Sequence, residues 1–302
     1  MDVGPRYQSL LTAVEGLYTR LQEQALTDAD FIALDALTLP KLEGFLARVF
    51  ADRDLFEKHY STFKEPYDIF RVFRDDETVL DVGAHYGYSA LAMRYQGCAA
   101  RIVSVEAMPF HIPPLERLKS LAGGAYDYVH VAATDAAQRL VFYVPVVNGK
   151  LVSGLSSTGG TLVPRMAQHV ARRFAEFPPV SEGAPDEVRF AVVEVAGLPL
   201  DDIVQAHGDS FERVSAIKMD IEGHEAAALR GGRRLLTSRR PVLMVEGGLE
   251  PAVRAVLGEY GYIRAARVAG QLVAWNGHPP ASDTFWFHPD TADQLRSRGL
   301  VA

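Results

Sequence analysis

From Thr78 onward, short apolar runs alternate with stretches of helical periodicity. Thr78-Val79-Leu80-Asp81-Val82, Arg101-Ile102-Val103-Ser104-Val105, Tyr128-Val129-His130-Val131-Ala132, Ala216-Ile217-Lys218-Met219-Asp220 and Pro241-Val242-Leu243-Met244-Val245-Glu246 are nearly continuous apolar segments. Helical spacing fills about 88–95, 114–121 and 222–236 between them. Strands without a polar face are buried on both sides, so the pattern predicts an α/β domain. Its sheet is mostly parallel, covered by helices on each face. Tyr262-Ile263-Arg264-Ala265 and Asp283-Thr284-Phe285-Trp286-Phe287 read as a closing antiparallel hairpin.

The first 65 residues have a different texture. Leu10, Leu11, Val14, Leu17, Tyr18 and Leu21 recur at helical spacing. Thr27-Asp28 offers a cap for a second short helix, and Pro40 opens a third carrying Leu42, Phe45, Leu46, Val49 and Phe50. We expect residues 1–65 to form a helical lid or dimerisation segment and residues 66–302 to form the main domain. A loop-rich insertion at about 146–188 interrupts that domain. Strands at Leu140-Val141-Phe142-Tyr143-Val144 and Val188–Val193 bracket a Gly/Ser-rich stretch and a helix at Met166–Phe177 carrying Arg172 and Arg173. Such an insertion suits an element that closes over a substrate.

Composition narrows the class. At 302 residues, 48% hydrophobic and 23% charged, the chain is an ordinary globular protein. Its net charge of −7 makes nucleic acid an unexpected partner. The single cysteine, Cys98, excludes an internal disulfide framework and any multi-cysteine zinc site. No apolar stretch is long enough for a spanning helix, and the opening residues lack the layout of a signal peptide. We therefore expect a cytoplasmic protein with no membrane partner.

Parallel sheets place ligands at the carboxyl ends of their strands, and Asp81, Glu106, Asp220 and Glu246 fall at or near those ends. In Asp81-Val82-Gly83-Ala84-His85-Tyr86-Gly87 the two glycines permit close backbone approach, and the following helix offers free N–H groups. The spacing is G-x-x-x-G rather than G-x-G-x-x-G, which favours a zwitterionic amino-acid tail over a pyrophosphate. In that reading Asp81 holds the ammonium. The bland alternative is a tight strand-to-helix turn. Glu106 ends the next strand, where an acidic side chain accepts from both ribose hydroxyls of a nucleoside. Alone it reads as a solvated carboxylate; beside the glycine loop it reads as part of a nucleoside site. His130 to Asp135 would flank the base.

These residues carry a family resemblance. Val79-Leu80-Asp81-Val82-Gly83-Ala84, with Gly87, resembles the first motif of class I S-adenosylmethionine-dependent methyltransferases. Lys218-Met219-Asp220-Ile221-Glu222-Gly223-His224-Glu225, followed by Ala228-Leu229-Arg230-Gly231-Gly232, resembles the signature of the FkbM-type family. Ala132-Ala133-Thr134-Asp135, Leu198-Pro199-Leu200-Asp201-Asp202 and Val245-Glu246 fall in that family's order, over about residues 66–290. Two positions depart: His85 stands where Asn is usual, and Ala107-Met108 where Pro-Asn is usual. The resemblance implies a Rossmann-like class I methyltransferase sheet and S-adenosyl-L-methionine as cofactor. It places Asp81, Gly83, Ala84, His85, Gly87, Glu106, Ala107, Ala132, Asp135 and Asp220 around that cofactor. It also implies methylation of a hydroxyl on a sugar, glycolipid or polyketide-type metabolite. Residues 1–65 lie outside it.

Methyl transfer to an aliphatic hydroxyl needs an in-line approach, a dry pocket and a proton acceptor. Asp220, Glu222 and His224 follow a strand directly and are the catalytic candidates. His224 is the natural base because its unperturbed pKa is near neutral. Equally, Glu222 and Glu225 suit a helix start and His224 a cap. With Glu246 this cluster has donors that divalent cations accept, but strand-end carboxylates more often bond to loops, so no metal is expected. A nucleotide-dependent oxidoreductase and a non-catalytic binding protein are the rival readings; the glycine spacing speaks against the first. Tyr143, Phe174, Phe177, Trp275 and Trp286, with Arg165, Arg172 and Arg173, are candidates for acceptor contact.

Overall fold

In the computed structural model, residues 5–34, 37, 43–59, 66–152, 186–208, 213–246, 251–275 and 283–302 are described. The first half contains α1 (Pro5–Gln22), α2 (Glu43–Ala51), α3 (Arg53–His59), β1 (Thr78–Val82), α4 (Tyr88–Tyr95), β2 (Arg101–Glu106), α5 (Ile112–Ala122), β3 (Tyr126–His130), β4 (Ala132–Thr134), β5 (Gln138–Val147) and β6 (Lys150–Leu151). After it come β7 (Val188–Pro199), α6 (Leu200–Ala206), β8 (Val214–Met219), α7 (Glu225–Gly231), α8 (Arg233–Ser238), β9 (Val242–Glu246) and α9 (Pro251–Glu259). β10 (Ile263–Val268), β11 (Gln271–Ala274), β12 (Asp283–Phe287) and α10 (Ala292–Ser297) follow.

The apolar runs assemble into an eight-stranded sheet of order β11-β10-β12-β9-β8-β1-β2-β3. The five strands from β9 to β3 are mutually parallel, and β12 and β11 close the sheet antiparallel to their neighbours. Every residue of β1 is buried, Thr78 and Asp81 included, as in a strand covered on both faces. Alternate residues enter two cores: Val79, Ile102, Ala216 and Val242 face α2, α4 and α5, while Leu80, Val103, Ile217 and Leu243 face α6 to α9. This is the predicted Rossmann-like α/β sheet.

The chain divides into two compact units, one of residues 1–40 and 139–195, the other of 41–138 and 196–302. The expected boundary at residue 65 does not coincide with this division. Leu46 and Val49 of α2 and Phe56 of α3 join the core of the main sheet, so these helices belong to the larger unit. In the smaller unit Leu10, Val14, Leu17 and Tyr18 of α1 form a core with Val147, Val152 and Phe190. Thr27 caps a single 3₁₀ turn, Asp28–Asp30, through a capping box. A second sheet has the order β4-β7-β5-β6. The expected helix at Met166–Phe177, with Arg165, Arg172, Arg173, Phe174 and Phe177, lies outside the described residues.

Three elements differ from the sequence reading. The apolar run 128–132 is cut at Val131: β3 stays in the large sheet, and β4 pairs in parallel with residues 197–199 of β7. The helix expected over 222–236 begins at Glu225 and breaks at Gly232. Gly231 is packed so closely that a Cβ there would lie 1.9 Å from the Thr134 carbonyl oxygen. Asp201 restarts the helix by accepting from the Arg234 and Leu235 amides at 2.8 and 2.9 Å. At the C-terminal side the hairpin is β10–β11, turning at Ala269-Gly270, and β12 slots between β9 and β10. No helix among the described residues is long and apolar enough to cross a membrane.

Candidate functional site

The carboxyl ends of β1, β2 and β8 lie side by side, with Val82 in register with both Val105 and Met219. The chain leaving β1 stays pinned to the sheet, since the Gly83 amide donates to the Val105 carbonyl at 2.9 Å. Asp220 is fixed in the same way, its amide donating to the Val82 carbonyl at 3.0 Å. Gly83 adopts φ +82°, and a Cβ there would lie 1.8 Å from the Asp220 carbonyl oxygen. At Gly87 (φ +85°) a Cβ would meet Leu118 at 2.9 Å. Both glycines are therefore demanded by packing within the chain. Ala84 and Ala132 are buried as well.

Asp81 does not line an open site. It is fully buried and accepts from Ser89 Oγ at 2.6 Å and Ser104 Oγ at 3.1 Å. Its ammonium partner is internal: Lys218 Nζ stands 3.4 Å from Asp81 Oδ1 and 3.5 Å from Asp220 Oδ2, and donates to the Gly83 carbonyl at 2.8 Å. Burial opposes the charge on Lys218, but the carboxylates of Asp220 and Asp81 outweigh it and hold the ammonium above the usual lysine range. A lysine within a largely apolar strand is the sequence signal for this role.

Glu106 is also nearly enclosed. Its carboxylate accepts from the His85 amide at 2.7 Å and the Met108 amide at 2.8 Å, and lies 3.1 Å from His111 Nδ1. His85, at φ +52°, brings its ring within 4.1 Å of the His111 ring centroid. His111 Nε2 is buried with no hydrogen-bond partner among the described residues. Nothing in the sequence marked His111. Nearby, the Ala107 carbonyl lies 3.1 Å from His130 Nε2, and Asp135 reaches the surface 3.9 Å from Arg230 Nε.

Beyond β8 the chain turns through two left-handed residues, Glu222 (φ +54°) and Gly223 (φ +94°). Glu225 Oε1 shapes the turn by accepting from the Ile221 and Gly223 amides at 3.0 and 3.2 Å. Asp220, Glu222 and Glu246 then converge, each offering an oxygen within 4.8 Å of the others. Burial works against the Asp220 carboxylate, but Lys218 and a hydrogen bond with Glu246 hold it below the usual range. Glu222 is exposed at the outer side of the group; local desolvation where its carboxyl meets the others and the charges of Asp220 and Glu225 push it up to about 7. The three oxygens form a donor set of the kind a divalent cation takes, although Lys218 already meets part of their charge. His224 is not in this group. Its Nε2 lies 3.0 Å from Thr134 Oγ1 on β4, and burial lowers its pKa from the ordinary imidazole value.

A parallel sheet with carboxylates gathered at its strand ends places the protein among Rossmann-like α/β folds. The sequence pattern of the methyltransferase FkbM domain matches residues 81–264, more than half of the chain. The protein belongs to that family. Among solved structures it is similar to a methyltransferase FkbM from Methylobacillus flagellatus KT, at 16% identity and a TM-score of 0.43 over 94% of this chain. The match spans only 61% of that protein's length. It is also similar to a predicted O-methyltransferase from Agrobacterium tumefaciens (10% identity, TM-score 0.36, 73% of this chain and 78% of that one). Aeropyrum pernix fibrillarin with natively bound S-adenosyl-L-methionine matches at 12% identity and a TM-score of 0.31, over 72% of this chain and 67% of that one. Likenesses this loose add no argument, and membership rests on the family match. No curated protein matches.

Proposed function

We propose that the protein transfers the methyl group of S-adenosyl-L-methionine to a hydroxyl of a small molecule of the sugar, glycolipid or polyketide-metabolite class. Beyond family membership, one observation carries this reading. Glu222, pushed up to about 7, faces an Asp220 held ionised by Lys218 at the carboxyl edge of the sheet. An aliphatic hydroxyl attacks only as its proton leaves, and a carboxyl titrating near neutrality is matched to that transfer. Glu222 is the proton acceptor in this reading. Asp220 raises its affinity for the proton, and His224 supports the loop through Thr134.

The residues present fit a nucleoside. A carboxylate has about four lone-pair positions. Three at Glu106 are met by the His85 amide, the Met108 amide and His111, which leaves one for a ribose hydroxyl. The unpaired Nε2 of His111 adds a second unmet polar atom beside it. Glu106, His85, Ala107, Asp135 and Asp220 would border the cofactor, with Asp81 supporting them from below. When bound, the cofactor supplies a sulfonium methyl already activated for transfer. The chain's task is then to orient the acceptor, exclude water and take up a proton. Calorimetric titration with S-adenosylhomocysteine and with NAD tests the cofactor, and radiolabelled S-adenosylmethionine offered with panels of hydroxyl acceptors tests the reaction. Binding of S-adenosylhomocysteine alone and label transfer to an oxygen are expected. Binding of NAD, or label on nitrogen or carbon, overturns the reading.

A further inference from the structure

Away from the strand ends, a cavity of about 480 Å³ opens between α9 and the β10–β12 side of the sheet. Pro251, Arg254 and Ala255 form one wall, and Arg264, Trp275 and Trp286 the other. Its volume falls in the range of small-molecule sites. It is separate from the carboxylate group. Trp286 pairs with Leu243, three residues before Glu246, which is about 10 Å along β9 at ~3.4 Å per residue.

The lining has a specific chemistry. The Arg264 guanidinium lies 4.0 Å over the Trp275 ring, and Trp275 is 40% exposed although large and apolar. Trp286 is buried, its indole N–H committed to Thr284 Oγ1 at 3.0 Å. Arg264 Nε is buried without a hydrogen-bond partner, and neither Arg254 nor Arg264 meets a carboxylate among the described residues. Desolvation and the facing charge of Arg254 lower the Arg264 pKa. The net charge of the chain is −7, yet these two neighbouring guanidiniums face no carboxylate among the described residues. Such a pair presents forked donors that match phosphate or carboxylate oxygens, and the two indoles in the lining give it an aromatic wall suited to a flat ring. We infer that this pocket binds a small planar anion, a phosphate or carboxylate borne on a ring, at a site distinct from the methyl-transfer site.

The test has a built-in reporter, because Trp275 and Trp286 are the only tryptophans in the chain. Phenyl phosphate is titrated against the full-length protein while tryptophan emission is followed. Inorganic phosphate and phenol serve as anion-only and ring-only probes. A saturable change at or below about 1 mM phenyl phosphate, weaker for either half-probe, is expected. Arg254→Gln leaves the Arg264–Trp275 stack in place and, at an exposed position, leaves the unfolding temperature unchanged. It should weaken binding roughly tenfold or more. Saturating S-adenosylhomocysteine should not alter phenyl phosphate affinity. A change that does not saturate, equal affinity in the Arg254→Gln variant, or competition by S-adenosylhomocysteine overturns the inference.

Discussion

Asp81, on β1, and Asp220, just past β8, share one ammonium: Lys218 Nζ stands 3.4 Å from the first and 3.5 Å from the second. Around Asp81 everything is closed. The side chain has no exposure, two serine hydroxyls donate to its Oδ2, and the ion pair at Oδ1 ties β1 to β8. Around Asp220 the same ammonium leaves charge over. Its side chain is 37% exposed and faces Glu222 and Glu246, and desolvation together with the charges of Asp220 and Glu225 raises Glu222. Two aspartates of similar sequence setting thus do different work. A carboxylate enclosed with its counter-charge ties strands together, while one in a crowded, half-open group raises the proton affinity of its neighbour.

The comparison breaks most visibly at the shared cation. Lys218→Met should leave Asp81 buried without its counter-charge and cost about 3–5 kcal/mol in denaturant unfolding. A loss under about 1 kcal/mol would mean that Asp81 does not depend on Lys218. On the open side, Glu222→Gln should lower the maximal methyl-transfer rate by roughly 10²–10⁴-fold with S-adenosylhomocysteine affinity retained. In the wild type the rate should rise with pH through about 7, because only the ionised Glu222 carboxylate accepts a proton. Asp220→Asn removes a facing negative charge, so the Glu222 titration followed by carboxyl NMR should move to lower pH. An unmoved titration would locate the cause of the shift elsewhere.

The two turns that hold these aspartates give a smaller contrast. Gly83→Ala drives a Cβ into the Asp220 backbone and should cost about 3 kcal/mol or more. Gly223→Ala, also at positive φ but with nothing within 4 Å, should cost only about 1–2 kcal/mol. Equal losses in thermal unfolding would show that conformation, not packing, governs both. The smallest effect is expected at His224, whose ring is committed to Thr134: His224→Ala should slow transfer less than tenfold. A loss of a hundredfold or more would return the role of base to this histidine.

Much of this was legible in the chain. The nearly continuous apolar runs marked β1, β2, β8 and β9 to within two residues, because a strand buried on both faces lacks an alternating polar face. The glycine loop and the block at 218–225 identified the family, and the same block contained Asp220 and Glu222. The break at Val131, the interruption at Gly232 and the insertion of β12 were not legible. Each depends on a partner distant in sequence: β7 for β4, Thr134 for Gly231, and β9 for β12.

Sequence by itself determined the layered fold and the family, since both follow from local periodicity and contiguous motifs. Only the tertiary structure decided what each charged residue does. Asp81 reads from the sequence as a ligand contact, but its side chain lies 3.4 Å from Lys218 inside the fold. Glu222 and His224, two residues apart, turn to different partners, one to carboxylates and the other to a hydroxyl. The proton affinity of a side chain is set by burial and by the charges within a few ångströms of it, and those neighbours come from strands far apart in the chain.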